Sequence, residues 1–171
     1  MDMRDVVADG QSGIEKLLLK VPGYKGYKEK EMRRDADKLL RDHIYGVLTE
    51  QRGRIEDIQG DLGVEYITDV EKIGKARRRL QTLADTVHTA AAGYAGLFDA
   101  VKVKEDELDA LYTFDNGLLA ESEAITTAID SLQAAIDNGE GLSGAIRDLT
   151  KAITNLQNFY NRRKDVLTGR A

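Results

Sequence analysis

The chain contains no cysteine and no tryptophan, and proline occurs once, at Pro22. Without cysteine there can be no disulfide framework, no thiolate nucleophile and no Cys-ligated zinc site. Two histidines, His43 and His88, are too few for a His-rich metal centre. No stretch approaches the ~18 consecutive apolar residues that read as a membrane-spanning helix. The segment from Met1 to Val7 lacks the basic start and apolar run of a secretory signal. These absences predict a cytoplasmic protein with no cofactor and no metal.

What is present is enough to build a core. Hydrophobic residues make up 42% of the 171 positions, too many for a disordered chain, and the length suits one domain spanning 1–171. Residues 1–12 read as loosely attached. The net charge of −5 is unevenly spread. Residues 20–41 carry eight cations against four carboxylates, whereas residues 81–140 carry two against twelve. Smaller basic clusters lie at Lys75 to Arg79 and Arg162 to Lys164. Because carboxylates interleave with the basic runs, solvated helix faces and attraction between helices account for most of this pattern.

Apolar residues recur at steps of three and four, the helical period. A short helix is expected at about 13–21, with Ser12 and Glu15 at capping-box spacing, ended by Pro22-Gly23. Four long helices follow, at about 27–61, 64–92, 104–138 and 142–167. In the first, Gly46, Gly53 and Gly60 suggest a kink or a close helix contact, since each costs about 1 kcal/mol relative to Ala. Thr68 and Glu71 have the spacing of a capping box for the second. The third has the cleanest seam. Leu108, Leu111, Asp115, Leu118, Ser122, Ile125, Ile129, Leu132 and Ile136 step alternately by three and four, as in a coiled coil. The fourth repeats it through Leu149, Leu156, Tyr160, Arg163 and Leu167. Asn138 to Gly141 reads as a helix stop. The expected fold is all-α: an elongated antiparallel up-down four-helix bundle, or two long helical hairpins, with a short extra N-terminal helix.

Asp115 occupies a seam position that wants leucine, and a carboxylate facing a bundle core must be paired. Arg77 and His43, polar residues on the seams of other helices, are the expected partners, and together the three form a candidate buried polar cluster. His43 alone, beside Leu40, Ile44 and Val47, reads as a hydrogen-bonded core residue. No Glu-x-x-His pair occurs, and the one imperfect copy, Asp85 with His88, does not make a di-iron site. Asp137 to Gly141 lacks the spacing of a calcium loop. Phosphate-binding glycine loops and nucleophile elbows are missing, so nothing points to an enzyme.

The stretch from Val21 to Asp37 sets two tyrosines among lysines at a helix break. Tyr24, Lys25, Tyr27, Lys28, Arg33 and Arg34 are candidate surface-binding residues. This Pro-Gly-Tyr-x-Gly-Tyr opening, with the following Lys-Glu and Arg-Arg and the later segments 93–99 and 107–112, resembles a group of bacterial all-helical proteins without an assigned activity. The resemblance implies an all-helical fold and nothing of chemistry. Long seamed helices with mixed surface charge fit a non-catalytic interaction or scaffold protein, binding a protein partner or itself as a homodimer. The alternative is a peripheral membrane protein using the basic amphipathic N-terminal segment. A sequence pI of about 5.2 argues against nucleic acid.

Overall fold

The computed structural model describes residues 13–90 and 105–167. Those residues are helical throughout, apart from connecting turns, and include no strand. Helix α1 covers 13–20. A turn and the 3-10 helix Lys30–Met32 lead into α2, Arg33–Asp61. The 3-10 helix Val64–Tyr66 precedes α3, Ile67–Thr89. Helix α4 runs Glu105–Asn138, α5 Leu142–Asn161, and the short α6 Arg163–Leu167.

Two antiparallel hairpins, α2/α3 and α4/α5, stack side by side, with α2 against α4 and α3 against α5. Side-chain contacts fix the directions. Gln59 donates to the Val70 carbonyl near the α2–α3 turn, and Arg41 donates to the carbonyls of Val87 and His88 at the other end, so α2 and α3 are antiparallel. Arg54 meets Asp130 late in both α2 and α4, while Asp37 and Asp115 share Arg163 early in both, so these two run parallel. Consecutive helices therefore alternate in direction as expected. The contacts between hairpins, however, join parallel helices, which is the two-hairpin version of the expected bundle.

The seams read from the sequence close the core. Leu118, Ile125, Ile129 and Leu132 of α4 are fully buried against Leu149, Ile153 and Leu156 of α5, with Leu40, Ile44, Leu48 and Ile55 from α2 and Ile73 and Leu80 from α3 in the same cluster. Each such side chain contributes roughly 1.5–3 kcal/mol by leaving water. That is why the three-and-four spacing, more than helix propensity, determines where the rods lie. Ser122, the second polar residue on the α4 seam, is buried with its hydroxyl donating to the Leu118 and Leu119 carbonyls of its own helix.

Several boundaries differ from the sequence reading. Helix α2 begins at Arg33, not near Tyr27, because Gly23 and Gly26 take left-handed backbone angles (φ 78° and 84°) and turn the chain first. At Gly26 a side chain would collide with the Tyr112 hydroxyl and Ile14. Thr68 does not cap α3, which starts at Ile67 after a 3-10 turn with no side-chain cap. The fourth helix is broken at Arg162, whose N–H bonds the Phe159 carbonyl three residues back, tightening the last turn of α5. Gly46, Gly53 and Gly60 all face open space, and α2 runs unbroken through them. They mark no close helix contact. The stop at Asn138 is a two-bond helix cap: Glu140 N–H reaches the Ala135 carbonyl, Gly139 N–H reaches Ile136, and Gly139 takes the left-handed conformation (φ 73°) that this motif needs. The expected Ser12 cap lies outside the described residues.

Candidate functional site

Two features of the bundle bear on function: a buried ionic cluster at one end and a cationic groove along one side.

The cluster is built around Asp115, as the seam position required, but with other partners. Arg163, fully buried, grips Asp115 with two hydrogen bonds, Nε to Oδ1 at 3.1 Å and Nη2 to Oδ2 at 3.2 Å. Its Nη1 also donates to Asp37. The Tyr27 hydroxyl donates to Asp115 Oδ2 at 2.6 Å and lies 3.1 Å from Arg163 Nη2. Asp37 in turn accepts from Arg41 Nε at 2.9 Å. Arg41 and Arg163 thus face Asp37 and Asp115, two cations against two carboxylates, all nearly inaccessible. Burial raises Asp115 above the usual carboxylate range, against the opposing pull of Arg163, and raises the Tyr27 phenol well above its ordinary value. The neighbouring Asp115 and Asp37 carboxylates, which more than offset the effect of burial, raise Arg163 well above its own, so its charge is secure.

Each part arrives by a local reason. The glycine turn swings Tyr27 inward, where its ring stacks on Tyr112 and meets Tyr24 edge-on, and its N–H donates to the Tyr112 hydroxyl at 2.7 Å. Arg33 Nε holds the Tyr27 carbonyl. The break at Arg162 starts α6 at Arg163, the next position of the α5 seam. The cluster therefore ties the N-terminal turn, the starts of α2 and α4, the end of α3 and the C-terminal α6 into one knot. Each charge is matched by another inside it, so its work is to fix how the segments register.

Arg77 and His43 are not part of it. Arg77 lies 4.0 Å from Glu56 on α2, because its helix seam turns it to the α2 side of the bundle. His43 is half-buried beside α1, within the field of Glu123 and Lys20, and its desolvation lowers the imidazole's affinity for a proton. The tyrosine-lysine opening is also not the exposed patch its composition suggested. Tyr24, Tyr27 and Arg33 are buried and serve the core; Lys25, Lys28 and Arg34 remain outside. The aromatic anchors expected for a membrane surface are thereby taken inward. No described helix is long and apolar enough to cross a membrane.

The groove runs between the parallel helices α3 and α5 and has a volume of about 780 Å³. Lys72, Lys75 and Arg79 line it from α3, Arg147 and Lys151 from α5, and no carboxylate lines it. Ala76 and Ile146, both almost fully buried, lie between the rows of cations. Among the described residues Lys72, Arg147 and Lys151 have no ion-pair partner; Lys75 has an exposed one, Glu71 at 3.6 Å, and Arg79 donates to the Thr154 hydroxyl at 2.8 Å. A second, smaller cleft of about 230 Å³, lined by Arg78, Thr82 and Gln157, continues from Arg79 toward Asn161. Five clustered cations in a chain of net charge −5 repel one another, and Arg79 alone of them bonds across to the other helix, through Thr154, among the described residues. The sequence showed the Lys75 to Arg79 cluster but not its complement. The missed signal was a pair of cations at i, i+4 on α5, Arg147 and Lys151, beside the core residue Ile146.

No group of acidic, histidine or cysteine side chains among the described residues is arranged to hold a metal ion. No family model matches the chain, no curated protein matches it, and no solved structure matches it. A functional reading therefore rests on the geometry alone.

Proposed function

We propose that this chain is a non-catalytic interaction protein, a rigid helical scaffold whose α3/α5 groove docks an anionic partner. The observation that carries the reading is the row of five cations without a lining carboxylate. The buried Asp37–Arg163–Asp115 knot supports it by tying α2, α4 and α6 together, with Arg41 of the same knot bonded to the last carbonyls of α3, which favours a groove formed before a partner arrives. Exposed ion pairs are worth about 0.5 kcal/mol each, so five together supply about 2.5 kcal/mol, or roughly seventy-fold in affinity.

The test is a fluorescence-anisotropy titration of labelled poly-L-glutamate at low and moderate salt, against the intact chain and a variant with Lys72, Lys75, Arg79, Arg147 and Lys151 all replaced by Gln. Binding that weakens with salt and falls at least tenfold in the variant is expected. Equal affinity for both proteins would overturn the proposal.

A further inference from the structure

Resting on that reading, we propose that the groove's occupant is an acidic amphipathic α-helix of a partner protein, laid lengthwise along α3 and α5.

The lining residues dictate a straight, narrow site. They recur at 72, 75, 76 and 79 on α3, and from 143 through 146, 147, 150 and 151 to 154 on α5. That is helical spacing on two parallel rods, with the wall about 10 Å long on α3 and about 17 Å long on α5 at 1.5 Å per residue. Two rows of cations flank a floor of Ala76 and Ile146, which is almost fully buried, so the apolar surface left to a ligand is mainly the aliphatic stems of the lysines and arginines. The threonines beside this floor have little left to offer a polar ligand. Thr150 donates its hydroxyl to the Ile146 carbonyl, and Thr154 donates to Thr150 while accepting from Arg79. A ligand matching this surface carries an apolar stripe with carboxylates on both sides, the pattern of an amphipathic helix with acidic flanks.

Other anions fit less well. No aromatic side chain lines either cleft, so a single nucleic-acid strand would find no surface on which to stack its bases. A membrane presents a plane, and the site is a trough. The exposed Val64 and Ile67 at the α2–α3 turn are no anchor for an anionic bilayer, because Asp61, Glu65 and Asp69 surround them. The bundle also shows the same mode of packing on its opposite side. There α1 lies on α4, with Leu17 buried, Lys20 paired to Glu123 and Asn116 donating to the Gly13 carbonyl, and its end reaches α2 where Gly23 approaches Leu39. One side of the stacked hairpins thus receives a helix from the chain itself, through a buried aliphatic stripe and a flanking ion pair. The α3/α5 side offers a helix from elsewhere the cationic half of such flanking ion pairs, with the charges reversed from those at α1.

Three fluorescent probes of equal charge separate the possibilities. They are a 20-residue peptide with Leu and Ala at heptad positions and Glu on both flanks, a shuffled peptide of identical composition, and an oligothymidylate. Each is titrated into the intact chain and into Lys72→Glu/Lys151→Glu, a variant confined to exposed side chains. The amphipathic peptide is expected to bind at least tenfold tighter than the shuffled one, to gain helicity on mixing, and to lose at least tenfold against the variant. Equal binding of all three probes would overturn the helix assignment and leave an anion-binding groove standing. Tightest binding by the oligothymidylate would overturn it in favour of nucleic acid. Self-association of the chain that the variant abolishes would overturn it in favour of a second copy. Failure of every probe to bind would overturn both this inference and the function on which it rests.

Discussion

Replacing Arg163 by Met removes the cation at the centre of the buried knot without removing much volume. Asp115, wholly inaccessible, then keeps only the Tyr27 hydroxyl, while Asp37 keeps Arg41. Breaking a buried pair and stranding one charge costs about 3–5 kcal/mol. Domains of this size commonly have only about 5–15 kcal/mol in all. Urea unfolding followed by circular dichroism at 222 nm measures the loss. Because the chain has no tryptophan, tyrosine emission gives a second probe, to which Tyr24, Tyr27 and Tyr112 at this site contribute three of the seven tyrosines. The double variant Arg163→Met/Asp115→Leu removes the stranded charge and is expected to recover most of the deficit, since buried ion pairs are often no better than apolar replacements. The pH dependence has a definite sign. Asp115 is already raised by burial, and losing Arg163 removes an influence that lowers it. A carboxyl raised in the folded state stabilises the fold when protonated, so the Arg163→Met deficit shrinks as pH falls. A single variant losing under ~1 kcal/mol, or a double variant no better than the single, would refute the reasoning.

Other outcomes follow from individual positions. Gly46→Ala, Gly53→Ala and Gly60→Ala enter open space on a continuous helix and are each expected to raise stability by about 0.5–1 kcal/mol in urea titrations. Gly139→Ala places a side chain in left-handed backbone and is expected to cost about 1–2 kcal/mol by the same assay. Tyr27→Phe deletes a hydroxyl shared by Asp115 and Arg163 and is expected to cost about 1–3 kcal/mol, with the far-ultraviolet spectrum unchanged. His43 has a proton affinity lowered in the fold, so its contribution to stability is present above pH 6.5, the ordinary histidine value, and fades as pH drops through its lower folded value. His43→Gln is expected to flatten that part of the stability–pH curve, and an unchanged slope would count against the assignment.

The fold was legible because hydrophobic burial is periodic, and period survives in a sequence. Leu118, Ile125, Ile129 and Leu132 could be placed in the core from spacing alone. Asp115 could be flagged as buried by the same register, because it interrupts it. Its partner was harder. Arg163 sat on the fourth seam at the right step, but choosing it over Arg77 or His43 depends on which helices adjoin and in which direction, and periodicity is blind to both. Tyr24 and Tyr27 misled for a related reason. Lysines around an aromatic suggest a surface, yet two glycine turns with positive φ suffice to send both rings inward while the lysines stay out. The groove could not be read at all without the fold, since its two walls are separated by some seventy residues of chain and meet only because α3 lies beside α5.

The central claim is that the α3/α5 face is where this protein meets its partner. Chemical-shift mapping of the isotope-labelled full chain, titrated with the acidic amphipathic peptide, tests it most directly. The account predicts shifts concentrated at residues 72–86 and 143–161 that vanish in Lys72→Glu/Lys151→Glu. Shifts concentrated instead on residues 13–41, or spread evenly over the surface, would contradict it.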